Sequence, residues 1–73
     1  ACANLVPQLR SIYRWEGAIH DEPEVLLILK ARSSAFDAVR ARISELHPYS
    51  VPEVLELPVP RGHRPYLEWV MAE

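Results

Sequence analysis

Cys2 and His47 are the two side chains with the plainest capacity for chemistry, since each becomes a metal ligand once it holds no proton on the donor atom. A thiolate favours Cu(I), and a neutral imidazole takes copper or another divalent cation. Each also has an ordinary role. A lone cysteine on an alternating strand packs as a small hydrophobe, and a histidine closing a helix donates to the last free carbonyls. His20 and His63 lie in turn-like stretches with no ligand spacing to a partner and read as solvated.

Nothing else in the chain adds up to a reaction. Glu53 and Glu56 point to opposite faces of a strand, so they are not a carboxylate pair; Arg40 and Arg42 diverge on a helix and clamp no phosphate. Two glycines cannot form a glycine-rich phosphate loop, and no nucleophile elbow, HExxH or CxxC spacing is present. Ser33 and Ser34 lack a histidine in a catalytic context. The chain reads as a non-enzyme without an organic cofactor. Tyr13, Trp15, Tyr49, Tyr66 and Trp69 read mainly as packing residues. Their alternative is to line clefts between subunits that take a small molecule or a protein ligand.

Composition bounds what must hold these residues. At 73 residues, 49% apolar and 25% charged, the chain reads as one small globular domain over 1–73, or part of one. Chains of this size bury only ~60% of the surface they expose when unfolded, so a solitary core is marginal. One cysteine gives no internal disulfide and suits a reducing, cytoplasmic setting. Oligomerisation is the remaining remedy. A net charge of −2 and dispersed arginines argue against nucleic acid. No apolar run nears the ~20 residues of a membrane span, and no basic-then-apolar leader opens the chain, so a soluble, unexported protein is expected.

Period-two alternation places Cys2, Asn4 and Val6 on one face of a strand, and Ser11, Tyr13 and Trp15 on one face of another. The two pieces read as one long strand, bent or bulged near Pro7. A polar turn over Gly17 to Pro23 leads to Glu24–Lys30, whose continuous apolar run must be covered on both faces. The pair makes a long antiparallel hairpin. Ser33 or Ser34, with Asp37, suggests a capping box for a helix whose stripe is Phe36, Val39, Ile43 and Leu46. Pro48 ends that helix, because a residue before proline leaves the helical region. Glu53–Val59 alternates again, fenced by Pro52, Pro58 and Pro60, and reads as a strand near a sheet margin. Pro65 opens a closing helix with Tyr66, Trp69 and Val70 on its apolar side.

The order strand, strand, helix, strand, helix predicts an α+β protein, ferredoxin-like but short of an opening strand and helix. Two helices cannot shield both faces of Val25–Leu29, so a further layer must come from elsewhere. At this point the chain resembles the CutA family of divalent-cation tolerance proteins. The resemblance rests on Ala1-Cys2-Ala3-Asn4-Leu5-Val6-Pro7, Ser11-Ile12-Tyr13-Arg14-Trp15-Glu16-Gly17, Val25–Lys30, Leu46-His47-Pro48-Tyr49-Ser50-Val51-Pro52-Glu53 and Tyr66-Leu67-Glu68-Trp69. It implies a ferredoxin-like protomer, lacking the family's first strand and helix, in a homotrimer built like the nitrogen-regulatory PII proteins. It also implies copper or other divalent-ion tolerance. The family's proposed copper contacts are a cysteine in the first strand, which is not matched in this sequence, and a His-His pair before Pro-Tyr, of which His47 matches the second member while Leu46 occupies the first. His47 through this match, and Cys2 through the softness of its thiolate, are the expected metal ligands.

Overall fold

The computed structural model describes residues 1–73. Two strands, β1 (Cys2–Trp15) and β2 (Ala18–Lys30), form an antiparallel hairpin, followed by helices α1 (Phe36–Leu46) and α2 (Arg64–Ala72). The expected α+β frame and long hairpin are therefore present.

The irregularity near Pro7 is a β-bulge. Val6 pairs with Leu26 and Leu9 with Glu24, so Pro7 and Gln8 together oppose Val25. Gln8 takes the left-handed conformation, φ 60°. The extra residue decides which side chains share a face. Directly opposed residues point the same way, so Cys2, Asn4 and Val6 continue onto Leu9, Ser11, Tyr13 and Trp15, together with His20, Glu22, Glu24, Leu26, Ile28 and Lys30. Without the bulge the two halves of β1 would present opposite faces.

The hairpin turn is shorter than the sequence suggests. Trp15 pairs with Ala18, leaving only Glu16 (φ 49°) and Gly17 (φ 77°) in the loop. Two positive φ angles match the twist of the flanking strands. Ile19 to Pro23, expected in a polar turn, lie in β2, because their side chains find cross-strand partners. On one face Arg10 forks onto Asp21, Nε to Oδ1 at 2.8 Å and Nη2 to Oδ2 at 2.5 Å. Pro23 is tolerated because β2 has an open edge where a missing donor costs nothing. Replacing Gly17 with alanine meets no clash but forces a Cβ into the left-handed region. The expected loss is about 1 kcal/mol, read from urea unfolding at fixed protein concentration.

Neither serine caps α1, and the predicted capping box with Asp37 does not form. Ser33–Ala35 instead make a single 3-10 turn, in which backbone bonding, Ala35 N–H to the Arg32 carbonyl at 3.0 Å, leads into the helix. α1 ends where Pro48 requires. His47 is extended, φ −74° and ψ 138°, while its amide still donates to the Ile43 carbonyl at 2.8 Å. The stripe Phe36, Val39 and Ile43 is half-buried, but Leu46 at its end is exposed. In α2, Leu67 and Val70 are the half-buried pair, whereas Tyr66 and Trp69 stay more open. Pro65 lies in the first turn as expected. Lys30 Nζ sits 5.8 Å from the Tyr66 ring centroid and ties α2 to the end of β2.

Glu53–Val59, expected as a strand, joins no sheet. Pro52–Val59 runs without helix, turn or bend, yet none of its backbone groups bonds to another in the chain. Pairing needs a neighbour, and residues 1–73 bring none alongside.

Every half-buried hairpin residue (Cys2, Leu9, Ser11, His20, Lys30) belongs to the face carrying Tyr13. The other face carries Leu5, Ile12, Ile19, Val25, Leu27 and Leu29, all exposed. No residue in the chain is fully buried. The face carrying Tyr13 is only partly covered, since Val6, Leu26, Ile28 and Trp15 on it are exposed, and the other face is bare along its whole length.

Candidate functional site

Polar chemistry concentrates on the covered face, at the turn end of the hairpin. The register sets Tyr13 opposite His20 and Ser11 opposite Glu22. The Tyr13 hydroxyl donates to Glu22 Oε2 at 2.8 Å, and its ring stacks on His20 with centroids 5.2 Å apart and planes 16° from parallel. His20 Nδ1 lies 3.7 Å from the other Glu22 oxygen. One carboxylate thus holds a phenol and faces an imidazole that is kept flat by stacking. The cluster offers two carboxylates, Glu22 and Glu24, to a cation or a hydrogen-bond donor.

The Tyr13 phenol is held above its ordinary range, first by its hydrogen bond to Glu22, then by desolvation and the charges of Glu22, Glu24 and Tyr49. A raised value means the neutral phenol is favoured in the fold. That contribution is whole below the ordinary phenol value near 10 and is lost as pH rises through the raised one. Replacing Glu22 with glutamine should bring the Tyr13 titration down, as followed by NMR of carbon-labelled tyrosine between pH 9 and 12. The Arg10 guanidinium on the opposite face holds the Asp21 carboxyl below its usual range. Its contribution is present above the ordinary carboxylate value and fades as pH falls through the depressed one.

Tyr49 belongs to the connector after α1 and lies within electrostatic reach of Tyr13. His47 Nδ1 accepts the Tyr49 amide at 3.1 Å, and the two rings meet edge-on at 4.8 Å. In place of the expected donation from His47 to the helix carbonyls, the ring of this extended residue accepts from Tyr49. An Nδ1 that accepts leaves the proton on Nε2. His47 can then ligate only after a tautomer exchange that releases Tyr49.

Cys2 is a free, half-buried thiol whose Sγ lies 3.9 Å from Asn4 Oδ1. It lines a small hollow with Ala3, Leu29, Lys30 and Val39. The hydrogen-bond partner of Cys2 is Asn4 and that of His47 is the Tyr49 amide, each two residues on. No three His, Cys, Asp or Glu side chains come together as a metal-holding group.

His20 is the residue that sequence reasoning passed over: it is half-buried, stacked and faces a carboxylate. The signal was its place opposite Tyr13, visible only once the turn shrinks to two residues. No helix is long and apolar enough to cross a membrane.

The family model described as CutA1 divalent ion tolerance protein matches residues 1–73. The divalent-cation tolerance protein CutA of Thermus thermophilus is 47% identical over 70 residues, which are 96% of this chain and 68% of that protein. Protein CutA of Bos taurus is 50% identical over 70 residues, but the chain spans only 40% of its length. Among solved structures, a PII-like protein CutA from Nostoc superposes with a TM-score of 0.89 at 37% identity, covering 97% of this chain and 69% of that one. The hairpin and its two helices are thus shared in sequence and in three dimensions, and the chain belongs to the CutA1 divalent ion tolerance family.

Proposed function

We propose that the chain acts in divalent-cation tolerance, copper included, as a homotrimer that shares its cation sites between protomers. The observation that carries this reading is the bare face of the hairpin. Leu5, Ile12, Ile19, Val25, Leu27 and Leu29 stand in solvent on a sheet whose other face is partly covered. Burying such a face is worth ~25 cal/mol per Å², and a second copy carries the same face. Sharing rests on the donors: residues 1–73 gather no group of three, Cys2 keeps its free thiol, and His47 frees a ring nitrogen by releasing the Tyr49 amide. The family is one of tolerance proteins, not enzymes. The free thiol of Cys2 fits a reducing cytoplasm.

Native mass spectrometry with Cu(I), Cu(II) and Zn(II) tests both halves. A trimer whose copper uptake falls at least tenfold in Cys2→Ala or His47→Ala is expected. A monomer refutes the assembly, and unchanged uptake in both variants refutes the ligands.

A second reading has its own support in the Tyr13–His20–Glu22 cluster. Its stacked rings and acceptor oxygens suit a small molecule held in a cleft between subunits, as on a PII-like scaffold. Thermal shifts with metabolites and none with metals would favour it.

A further inference from the structure

Glu22 and Glu24 lie two residues apart on the Tyr13 face of β2, and no lysine or arginine answers either of them. The ion pairs of the chain are Arg10–Asp21, Arg42–Glu45, Arg64–Glu68 and the long contact of Glu22 with His20. Arg10 and Arg14 belong to the opposite face by the register, and Arg10 is already forked onto Asp21. Lys30 shares the face with Glu22 but lies at the far end of β2, with its ammonium beside Tyr66. The turn end of this face is therefore a spot of uncompensated negative charge, which draws cations.

One separation within that spot suits a metal better than a proton. His20 Nδ1 and Glu22 Oε1 are 3.7 Å apart, beyond the ~3.2 Å at which N–H···O hydrogen bonds end. A zinc ion bonds imidazole nitrogen and carboxylate oxygen at about 2.1 Å each. Two such bonds span 3.7 Å with an angle of about 120° at the metal, and the ~109° of a tetrahedral site needs only a few tenths of an ångström of closure. Both donors are restrained before any ion arrives. The His20 ring is stacked on Tyr13, with centroids 5.2 Å apart, and the other Glu22 oxygen accepts the Tyr13 hydroxyl at 2.8 Å. Metal-binding carboxylates are ordinarily oriented by such a hydrogen bond. The two side chains are 35% and 49% exposed, so a hydrated ion can reach them.

We propose that His20 Nδ1 and Glu22 Oε1 together hold a divalent cation, Zn(II) or Cu(II), with water completing its sphere. Water is needed because residues 1–73 bring no third His, Cys, Asp or Glu to the same point. Glu24 contributes charge and no bond. A nitrogen and an oxygen donor suit a divalent ion, whereas Cu(I) prefers the thiolate of Cys2. Cys2 pairs with Lys30 at the opposite end of the hairpin, and the His20–Glu22 site stands whether or not Cys2 and His47 take metal.

Zinc alone is the probe, being redox-silent. The 73-residue chain is titrated with Zn(II) at neutral pH and followed by nitrogen NMR of its imidazoles. His20 Nδ1 should reach its bound position at zinc concentrations at least tenfold below those that move exposed His63. That comparison needs no variant. Glu22→Gln removes a ligand and should raise the His20 midpoint at least tenfold, whereas Glu24→Gln removes the same charge without a ligand and should raise it less than about threefold. The Cys2→Ala/His47→Ala chain should keep the full His20 response, so copper uptake can fail there while zinc still binds here. His20 and His63 moving together, binding through His20 Nε2, equal effects of Glu22→Gln and Glu24→Gln, or loss of the response in Cys2→Ala/His47→Ala overturns the proposal.

Discussion

Leu27→Asp is expected to abolish self-association while leaving the hairpin register of an isolated protomer possible. Leu27 lies at the middle of the bare face, between Val25 and Leu29 on its strand and opposite Leu5 on β1. In a lone chain it is 47% exposed, and an aspartate there would simply be hydrated. In an assembly that buries this face, each protomer loses about 2 kcal/mol of leucine burial. Each also leaves a carboxylate without a partner, at several kcal/mol. Arg10 cannot neutralise it, being already forked onto Asp21. A combined loss of at least about 4 kcal/mol per contact weakens association roughly a thousandfold. Sedimentation at micromolar concentration should show the wild-type assembly replaced by monomer or by unfolded chain. Leu27→Met keeps volume and apolarity and should assemble normally. A Leu27→Asp protein that assembles like the wild type would show that this face is not the contact.

The same surface explains which parts of the fold were legible in the residues. The hairpin announces itself in the alternation of Cys2–Val6 and Ser11–Trp15 and in the unbroken run Val25–Leu29. The end of α1 follows from Pro48 alone, because the constraint is steric and local. Features set by pairing were harder to read. Ile19 to Pro23 read as a turn because His20, Asp21 and Glu22 are polar, but each is held by a cross-strand partner whose identity depends on the register. Glu53–Val59 has the alternation of a strand and still forms no ladder, since alternation records which side chains want cover and not whether a partner strand is at hand. The serines before α1 had the composition of a cap, but a backbone 3-10 turn forms there instead.

The candidate site divides along the same line. His47 and Tyr49 were placed by their prolines, and their mutual contact is local. The Tyr13–His20–Glu22 cluster was not legible, because it joins residues seven and nine apart through a turn whose length the sequence leaves ambiguous. Cys2 had an ordinary reading and a sharp one, and its half-buried place beside Val39 suits the first without removing the second.

Deleting Gln8 should be the most damaging single change in β1, although its side chain makes no hydrogen bond or ion pair. Its value is positional. With Gln8 removed, Pro7 alone faces Val25, and the strand runs on without the extra residue that reconciles its two halves. A one-residue slip moves every side chain to the other face. Either Cys2, Asn4 and Val6 turn from the covered face to the bare one, exchanging with Ala3 and Leu5, or the far half slips. The second choice breaks the Arg10–Asp21 fork, the Tyr13–His20 stack and the Tyr13–Glu22 bond together. Either outcome should cost on the order of 3–5 kcal/mol, which is most of the stability of a marginal domain. Circular dichroism and urea unfolding should find the deletion variant largely unfolded under conditions where the wild type is folded. Gln8→Gly separates the two aspects of this position. Glycine keeps the residue count and accepts φ 60° without strain, so it should be neutral or stabilising by up to about 1 kcal/mol. If the deletion folds as well as the glycine variant, the bulge does not set the faces of this sheet, and the division into a covered and a bare side must have another cause.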